Sequence, residues 1–211
     1  MAFNLEEQEE LEALKAWWGR YGMLVTVAVV VAALTTAGIF GWRAWWHHQD
    51  VQAGTFYVQL TAATASGDHK KVADIAKLIE KDYPRTRYAA MAALASARAA
   101  FDAGDLKATS AQLQWAIDHA KEAELRDVAR LRLAGVLLDQ KNYAQALKLL
   151  DEKHATPLDG LYADRKGDVL AAQGKVSAAK SAYKVALNET GQGDAYHNVI
   201  QLKLDALGDA K

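Results

Sequence analysis

The chain of 211 residues has no cysteine. That excludes disulfides, thiolate metal sites and cysteine nucleophiles together. It has only two prolines, Pro84 and Pro157, so long helices are permitted almost everywhere. No segment alternates apolar and polar residues for long enough to make a sheet. One charge sign does not dominate either. Formal net charge is −1, and from His47 onward 22 Lys/Arg face 21 Asp/Glu, because Lys15, Arg20, Arg43 and the five N-terminal glutamates precede that point. A balanced surface lacks the basic stripe that nucleic acid requires.

Active-site patterns are missing as well. There is no Gly-x-Ser-x-Gly elbow and no glycine-rich phosphate loop. The six histidines include no pair at the helical i, i+4 spacing that would hold a metal beside a general base. Asp164 and Asp168 do have that spacing and could form a carboxylate site. With Arg165 and Lys166 beside them, they read instead as part of a solvated charged helix face. The expectation is a protein without catalytic residues, cofactor, resident metal or small-molecule substrate.

What the chain does have is an unbroken run from Tyr21 to Trp42 without one charge, closed by Arg20 and Arg43. At about 1.5 Å per residue such a helix covers about 33 Å, enough for a hydrocarbon core about 30 Å thick. Trp17, Trp18 and Tyr21 stand at one end; Trp42, Trp45 and Trp46 stand at the other. Indole rings prefer the headgroup layer, so these are two aromatic belts around a bilayer span. A cleaved signal peptide would start basic and carry a shorter apolar run. This segment follows Glu6, Glu7, Glu9, Glu10 and Glu12 and exits into Trp42-Arg43, so it reads as an uncleaved anchor. Lys15 and Arg20 before the span against Arg43 after it place the N-terminus inside. Ala33, Ala37 and Gly41 recur at every fourth position and form a small-residue stripe on which another transmembrane helix could pack.

The remainder reads as helical repeats. Turn signals recur at Gly67-Asp68, Gly104-Asp105, Lys141-Asn142 and Gly174-Lys175, with the last step shorter than the first two. The step from Ala134 to Gly167 equals that from Ala146 to Ala179. Both fall close to the tetratricopeptide period of about 34 residues. One helical hairpin cannot bury its apolar stripe alone, so hairpins stack and a terminal helix closes the stack. The segment Asp194 to Leu207, with Val199, Ile200, Leu202, Leu204 and Leu207, suits that cap.

The fold expected is therefore all-α: an acidic tail over residues 1–20, a transmembrane signal-anchor helix over 21–46, and a tetratricopeptide-repeat-like domain over 47–211. That domain would be a right-handed stack of about four helical hairpins plus a cap. Its first helices would line a concave partner groove carrying Tyr57, Leu94, Arg98, Phe101, Leu131, Leu138 and Asp164.

Several segments carry a family likeness: Gly41-Trp-Arg-Ala-Trp-Trp-His-His-Gln49, Arg130-Leu-Arg-Leu-Ala134, Tyr143-Ala-Gln-Ala-Leu-Lys-Leu-Leu-Asp151, Asp164-Arg-Lys-Gly-Asp168 and Gln201-Leu-Lys-Leu204. In this order and spacing the chain resembles the ancillary SecYEG translocon subunit (YfgM-like) family. The resemblance implies a single-pass inner-membrane protein of Gram-negative bacteria, N-terminus cytoplasmic and repeat domain periplasmic. It implies as partners the SecYEG channel, the lipid bilayer and a membrane-anchored periplasmic chaperone of the PpiD type. It also implies a role as adaptor between export and chaperones, with a link to Rcs envelope-stress signalling. An assembly factor for another envelope machine, such as pili, outer-membrane insertion or cell division, is the alternative.

Overall fold

In the computed structural model, residues 3–191 and 195–208 are described, and all regular structure among them is helical. The chain forms two compact units, Met1–Gln49 and Asp50–Lys211. The first helix, α1, spans Phe3–Ala65, and its last turns belong to the second unit. The second unit continues with α2 (His69–Asp82), α3 (Arg87–Asp102), α4 (Leu106–His119), α5 (Ala123–Asp139) and α6 (Tyr143–Leu150). A 3-10 turn at Thr156–Leu158 leads to α7 (Asp159–Ala172), α8 (Val176–Glu189) and α9 (Ala195–Ala206). Asp194, where the sequence starts the cap, lies outside the described residues.

Each reversal within a hairpin is made the same way. Gly67, Gly104, Lys141 and Gly174 have φ of 69, 77, 60 and 74°, the left-handed region that a helix C-terminus uses to stop. At every one, the next residue's N–H reaches back five residues: Asp68 to the Ala63 carbonyl, Asp105 to Ala100, Asn142 to Leu137, Lys175 to Leu170. These bonds satisfy carbonyls that a helix end leaves open. Asp68 and Asp105 then cap the helix they start, each carboxylate accepting from a backbone N–H three residues on, Lys71 at 3.0 Å and Ala108 at 2.9 Å. That local chemistry accounts for the four turns read from the sequence.

The last turns of α1 share a core with α2 and α3 through Ala53, Leu60 and Ala63. The remaining hairpins pair α3 with α4, α5 with α6 and α7 with α8. Each second helix also packs on the first helix of the next pair, and α5 touches both α3 and α7. Alanines let the axes come close: Ala76, Ala89, Ala92, Ala116, Ala129, Ala134, Ala146, Ala179 and Ala186 are all fully buried. Around them the core is filled by Leu60, Val72, Ile79, Leu113, Leu133 and Val169. The contact between α7 and α8 is close: a Cβ placed on Gly167 would stand 2.4 Å from the Tyr183 ring. The stack ends on α9, whose Ile200 is fully buried against Leu170, Ala179, Tyr183 and Ala186.

Pro84 follows α2 closely, after the capping residue Tyr83. Pro157 sits well beyond α6, inside the 3-10 turn that starts α7. The loop between is pinned by Asp127, which is 3% exposed. Its carboxylate accepts from Arg130 at 2.8 Å and from the Ala155 N–H at 3.0 Å, and the Tyr162 hydroxyl donates to the Asp127 carbonyl at 2.7 Å.

Two predictions come from this architecture. Lys141 occupies a backbone region that disfavours a side chain by about 1 kcal/mol. Lys141→Gly should therefore raise stability by about 0.5–1 kcal/mol, and Gly104→Ala should lower it by about 1 kcal/mol or more; urea denaturation of the detergent-solubilised protein measures both. On α2, burial pushes the Glu80 carboxyl up to about 7, against the smaller downward pulls of its Gln112 hydrogen bond and of His119. A raised carboxyl favours the fold while protonated and loses that contribution as pH rises from its ordinary 4.5 through about 7. Glu80→Gln should raise the melting temperature at roughly pH 8 and leave it almost unchanged at roughly pH 4.

Candidate functional site

In the first unit, α1 contains a helix long and apolar enough to cross a membrane, and none of its apolar window is buried. That distinguishes it from the core helix of a soluble domain. Its polar groups are satisfied internally. The hydroxyls of Thr26, Thr35 and Thr36 donate to the carbonyls of Gly22, Val31 and Ala32 at 2.7–2.8 Å, as hydrocarbon surroundings require. Trp17 lies 6.3 Å from Trp18 and 5.8 Å from Tyr21 between ring centroids. Trp42, Trp45 and Trp46 form a second cluster with centroids 4.8–5.9 Å apart. Arg43 lies in the same stretch, directly after Trp42. The stripe of Ala33, Ala37 and Gly41 is exposed, and nothing lies within 4 Å of a Cβ placed on Gly41.

In the second unit, α3, α5 and α7 line an open groove with a volume of about 410 Å³. Its walls include Arg98 and Phe101 from α3, Arg132, Gly135 and Asp139 from α5, and Arg165 from α7, with Leu113 of α4 at its floor. Arg98 donates through Nε to both oxygens of Asp102 at 2.9 Å. Arg165 lies along α5, its guanidinium carbon 3.5 Å from a Cβ placed on Gly135. Burial and the neighbouring Arg98 charge both hold the Arg132 guanidinium below its ordinary pKa.

The groove contains Arg98 and Phe101 of the seven residues the sequence placed there. The other five lie elsewhere. Leu94 is 8% exposed and belongs to the central core, packed in the cluster that α3, α4 and α5 share. Leu131 and Leu138 are partly buried and pack against the same core. Tyr57 is half-buried and stands 5.6 Å from the Tyr88 ring.

Asp164 is 1% exposed, which overturns the solvated face expected for it and Asp168. Its carboxylate accepts from the Tyr196 hydroxyl at 2.5 Å and from Lys203 Nζ at 2.8 and 2.9 Å. Lys203 also lies 2.9 Å from Asp168, which accepts from the Tyr183 hydroxyl at 2.9 Å and from Arg165 at 3.2 Å. Burial first, then the adjacent carboxylates, push both tyrosine hydroxyls well above their ordinary range. The two carboxylates are thus engaged by α8 and α9 and hold the cap, rather than facing a substrate or an ion. Among the described residues no group of three or more His, Asp or Glu could hold a metal.

Sequence reasoning missed Arg132 and Arg165. The signal was present: Arg98, Arg132 and Arg165 recur at the repeat interval itself, about 34 residues. Lys203 was passed over because its partners lie 35 and 39 residues away.

Removing one partner of a buried ion pair costs about 3–5 kcal/mol, since the remaining charge stays out of water. Lys203→Ala should lower stability toward that range, discounted for the partial exposure of Lys203. Lys203→Ala should also speed amide exchange in α9 before the rest of the stack; hydrogen exchange with mass spectrometry reads both effects.

Comparison with known proteins gives the same picture over the whole length. A family model described as a tetratricopeptide repeat-like domain matches residues 15–209. A protein of Neisseria gonorrhoeae named ancillary SecYEG translocon subunit is 32% identical, the alignment covering 98% of this chain and 100% of that one. The protein of that name in Haemophilus influenzae is 30% identical over 98% and 100%, and that of Escherichia coli 27% over 95% and 96%. Apolar helix, hairpin stack and cap all fall within these alignments. The chain belongs to the ancillary SecYEG translocon subunit family, whose domain is tetratricopeptide repeat-like.

Proposed function

We propose that the protein is a non-enzymatic adaptor tethered in the inner membrane beside the SecYEG channel, its N-terminus cytoplasmic and its repeat domain periplasmic. There it would hand newly exported chains toward a membrane-anchored chaperone of the PpiD type, with a connection to Rcs envelope-stress signalling. The observation that carries this reading is likeness to ancillary translocon subunits over nearly the full length of both chains. A likeness confined to the repeats would support only a generic binding domain. The structure supports the adaptor role from a second side, because α3, α5 and α7 present an open groove while the carboxylates at Asp164 and Asp168 are already engaged. Lys15 and Arg20 before the apolar helix, against Arg43 after it, support the orientation.

Isolation of the full chain from membranes in mild detergent should bring SecY, SecE and SecG with it after brief crosslinking. Deletion of residues 47–211 should abolish recovery of the periplasmic chaperone. Recovery of pilus, outer-membrane insertion or division components in place of the channel would replace this reading with the assembly-factor alternative. Undiminished chaperone recovery by the truncated chain would remove the repeat domain from the mechanism.

A further inference from the structure

The groove of the second unit has a chemistry that an adaptor role does not by itself specify. Three arginines, Arg98, Arg132 and Arg165, come from three successive first helices and line one cavity. Their near-constant spacing, about 34 residues, makes them equivalent positions of consecutive repeats, so the stack presents them as a ladder. Two rungs have carboxylates of their own: Arg98 is held by Asp102, and Arg165 by Asp168. Asp168 is shared with Lys203 and Tyr183. Arg132 makes no hydrogen bond or ion pair among the described residues, although Asp139 lines the same cavity. The Nε of Arg165 is buried without a partner.

Cations brought side by side repel one another, and Arg132, an exposed side chain, has only water on its donors. Lost solvation holds the Arg132 guanidinium, which stays charged, below its ordinary pKa, and the neighbouring Arg98 charge adds repulsion. An anion entering the groove would relieve it, and a guanidinium meets a carboxylate with two parallel N–H donors. Apolar side chains lie between the arginines, beside Thr109 and Asp139. Phe101 is 43% exposed there, and Leu113 and Val136 lie beneath. A free inorganic anion would leave this apolar surface uncovered, whereas a peptide covers it with side chains.

We propose that the groove formed by Arg98, Arg132 and Arg165 with Phe101 binds an extended acidic segment of a partner protein, with carboxylates on the arginines and apolar side chains between them. Packed helix axes are about 8–10 Å apart. An extended chain in the polyproline II conformation advances about 3.1 Å per residue with three residues per turn, so every third side chain returns to one face and about three residues match one repeat. The preferred segment therefore carries an acidic residue at every third position. This inference rests on the reading of the repeat domain as a partner-binding adaptor, and it adds the chemistry of what is bound.

The test uses the full chain in detergent micelles and a short fluorescent peptide with aspartate at every third position and leucine and alanine between. A control peptide has asparagine in place of aspartate. Anisotropy should show binding of the aspartate peptide that weakens as salt is raised and is at least tenfold tighter than that of the control. Arg132→Gln should weaken it at least tenfold without lowering the melting temperature, because Arg132 makes no hydrogen bond or ion pair among the described residues and its loss removes a like charge beside Arg98. Arg132→Lys should recover part of the loss, since the charge returns without the planar fork. Equal binding of the two peptides, no binding of the aspartate peptide, or full binding by the Arg132→Gln protein would each overturn the proposal. So would selective capture of phosphatidylglycerol vesicles, lost in Arg132→Gln, without capture of the peptide. Channel recovery is measured on the same membranes. If SecYEG fails to co-purify while the peptide still binds, the adaptor reading falls and the groove chemistry stands; the reverse result separates them the other way.

Discussion

The second unit depends on one backbone constraint repeated four times, a single residue held at positive φ between two helices. Each such turn closes the carbonyls of one helix and starts the next within two residues, so the helices must run antiparallel and side by side. A hairpin made this way has one face covered by its partner and another left open. The open face is rich in alanine, which allows close approach but buries little area per residue. It becomes a core only when the next hairpin arrives, so stability is shared along the stack. Three of the turns use glycine. The fourth uses Lys141, yet the same backbone bond reaches back there; hydrogen bonding and packing on both sides outweigh a local preference of about 1 kcal/mol.

A stack of hairpins still has an end, and here the end is closed with charge as well as apolar area. Ile200 fills the apolar gap, and Lys203 bridges Asp164 and Asp168 beside the hydroxyls of Tyr183 and Tyr196. Both carboxylates in this cluster are paired, which is the condition for placing them next to a core. Two of the segments that carry the family likeness, Asp164–Asp168 and Gln201–Leu204, meet in this cluster. A third, Arg130–Ala134, begins beside the Asp127 lock that fixes the loop before α7. These segments therefore hold the architecture. The groove lies on another side of the same helices: on α7, Arg165 turns toward α5 while Asp164 turns toward α9.

The first unit follows a different rule, because its apolar window is not buried against protein. Its three threonines return their hydroxyls to the backbone four residues earlier, so these groups need no partner from outside the helix. The aromatic clusters at Trp17–Tyr21 and Trp42–Trp46 are likewise local, made by neighbours on one helix. Local features of this kind depend only on residues a few positions apart. For that reason they were fully legible in the chain before any fold was considered.

The same distinction separates what sequence alone determined from what folding decided. The apolar run, the belts and the turns at 67, 104, 141 and 174 all arise from residues within one or two helical turns of each other, and sequence reading located each of them. Which face of α7 is buried was not legible. Asp164, Arg165 and Lys166 look like one charged patch in sequence, and only the arrival of Lys203, 39 residues later, turns Asp164 into a buried anchor. The groove was little legible: of the seven residues the repeat pattern put on a concave face only Arg98 and Phe101 line the cavity, Leu94 lies in the core, and Arg132 and Arg165 form the walls. Periodicity gives the positions that share a face. It does not say which face meets a neighbour, because that depends on how close the alanines let the helices come, and closeness is a property of the packed stack.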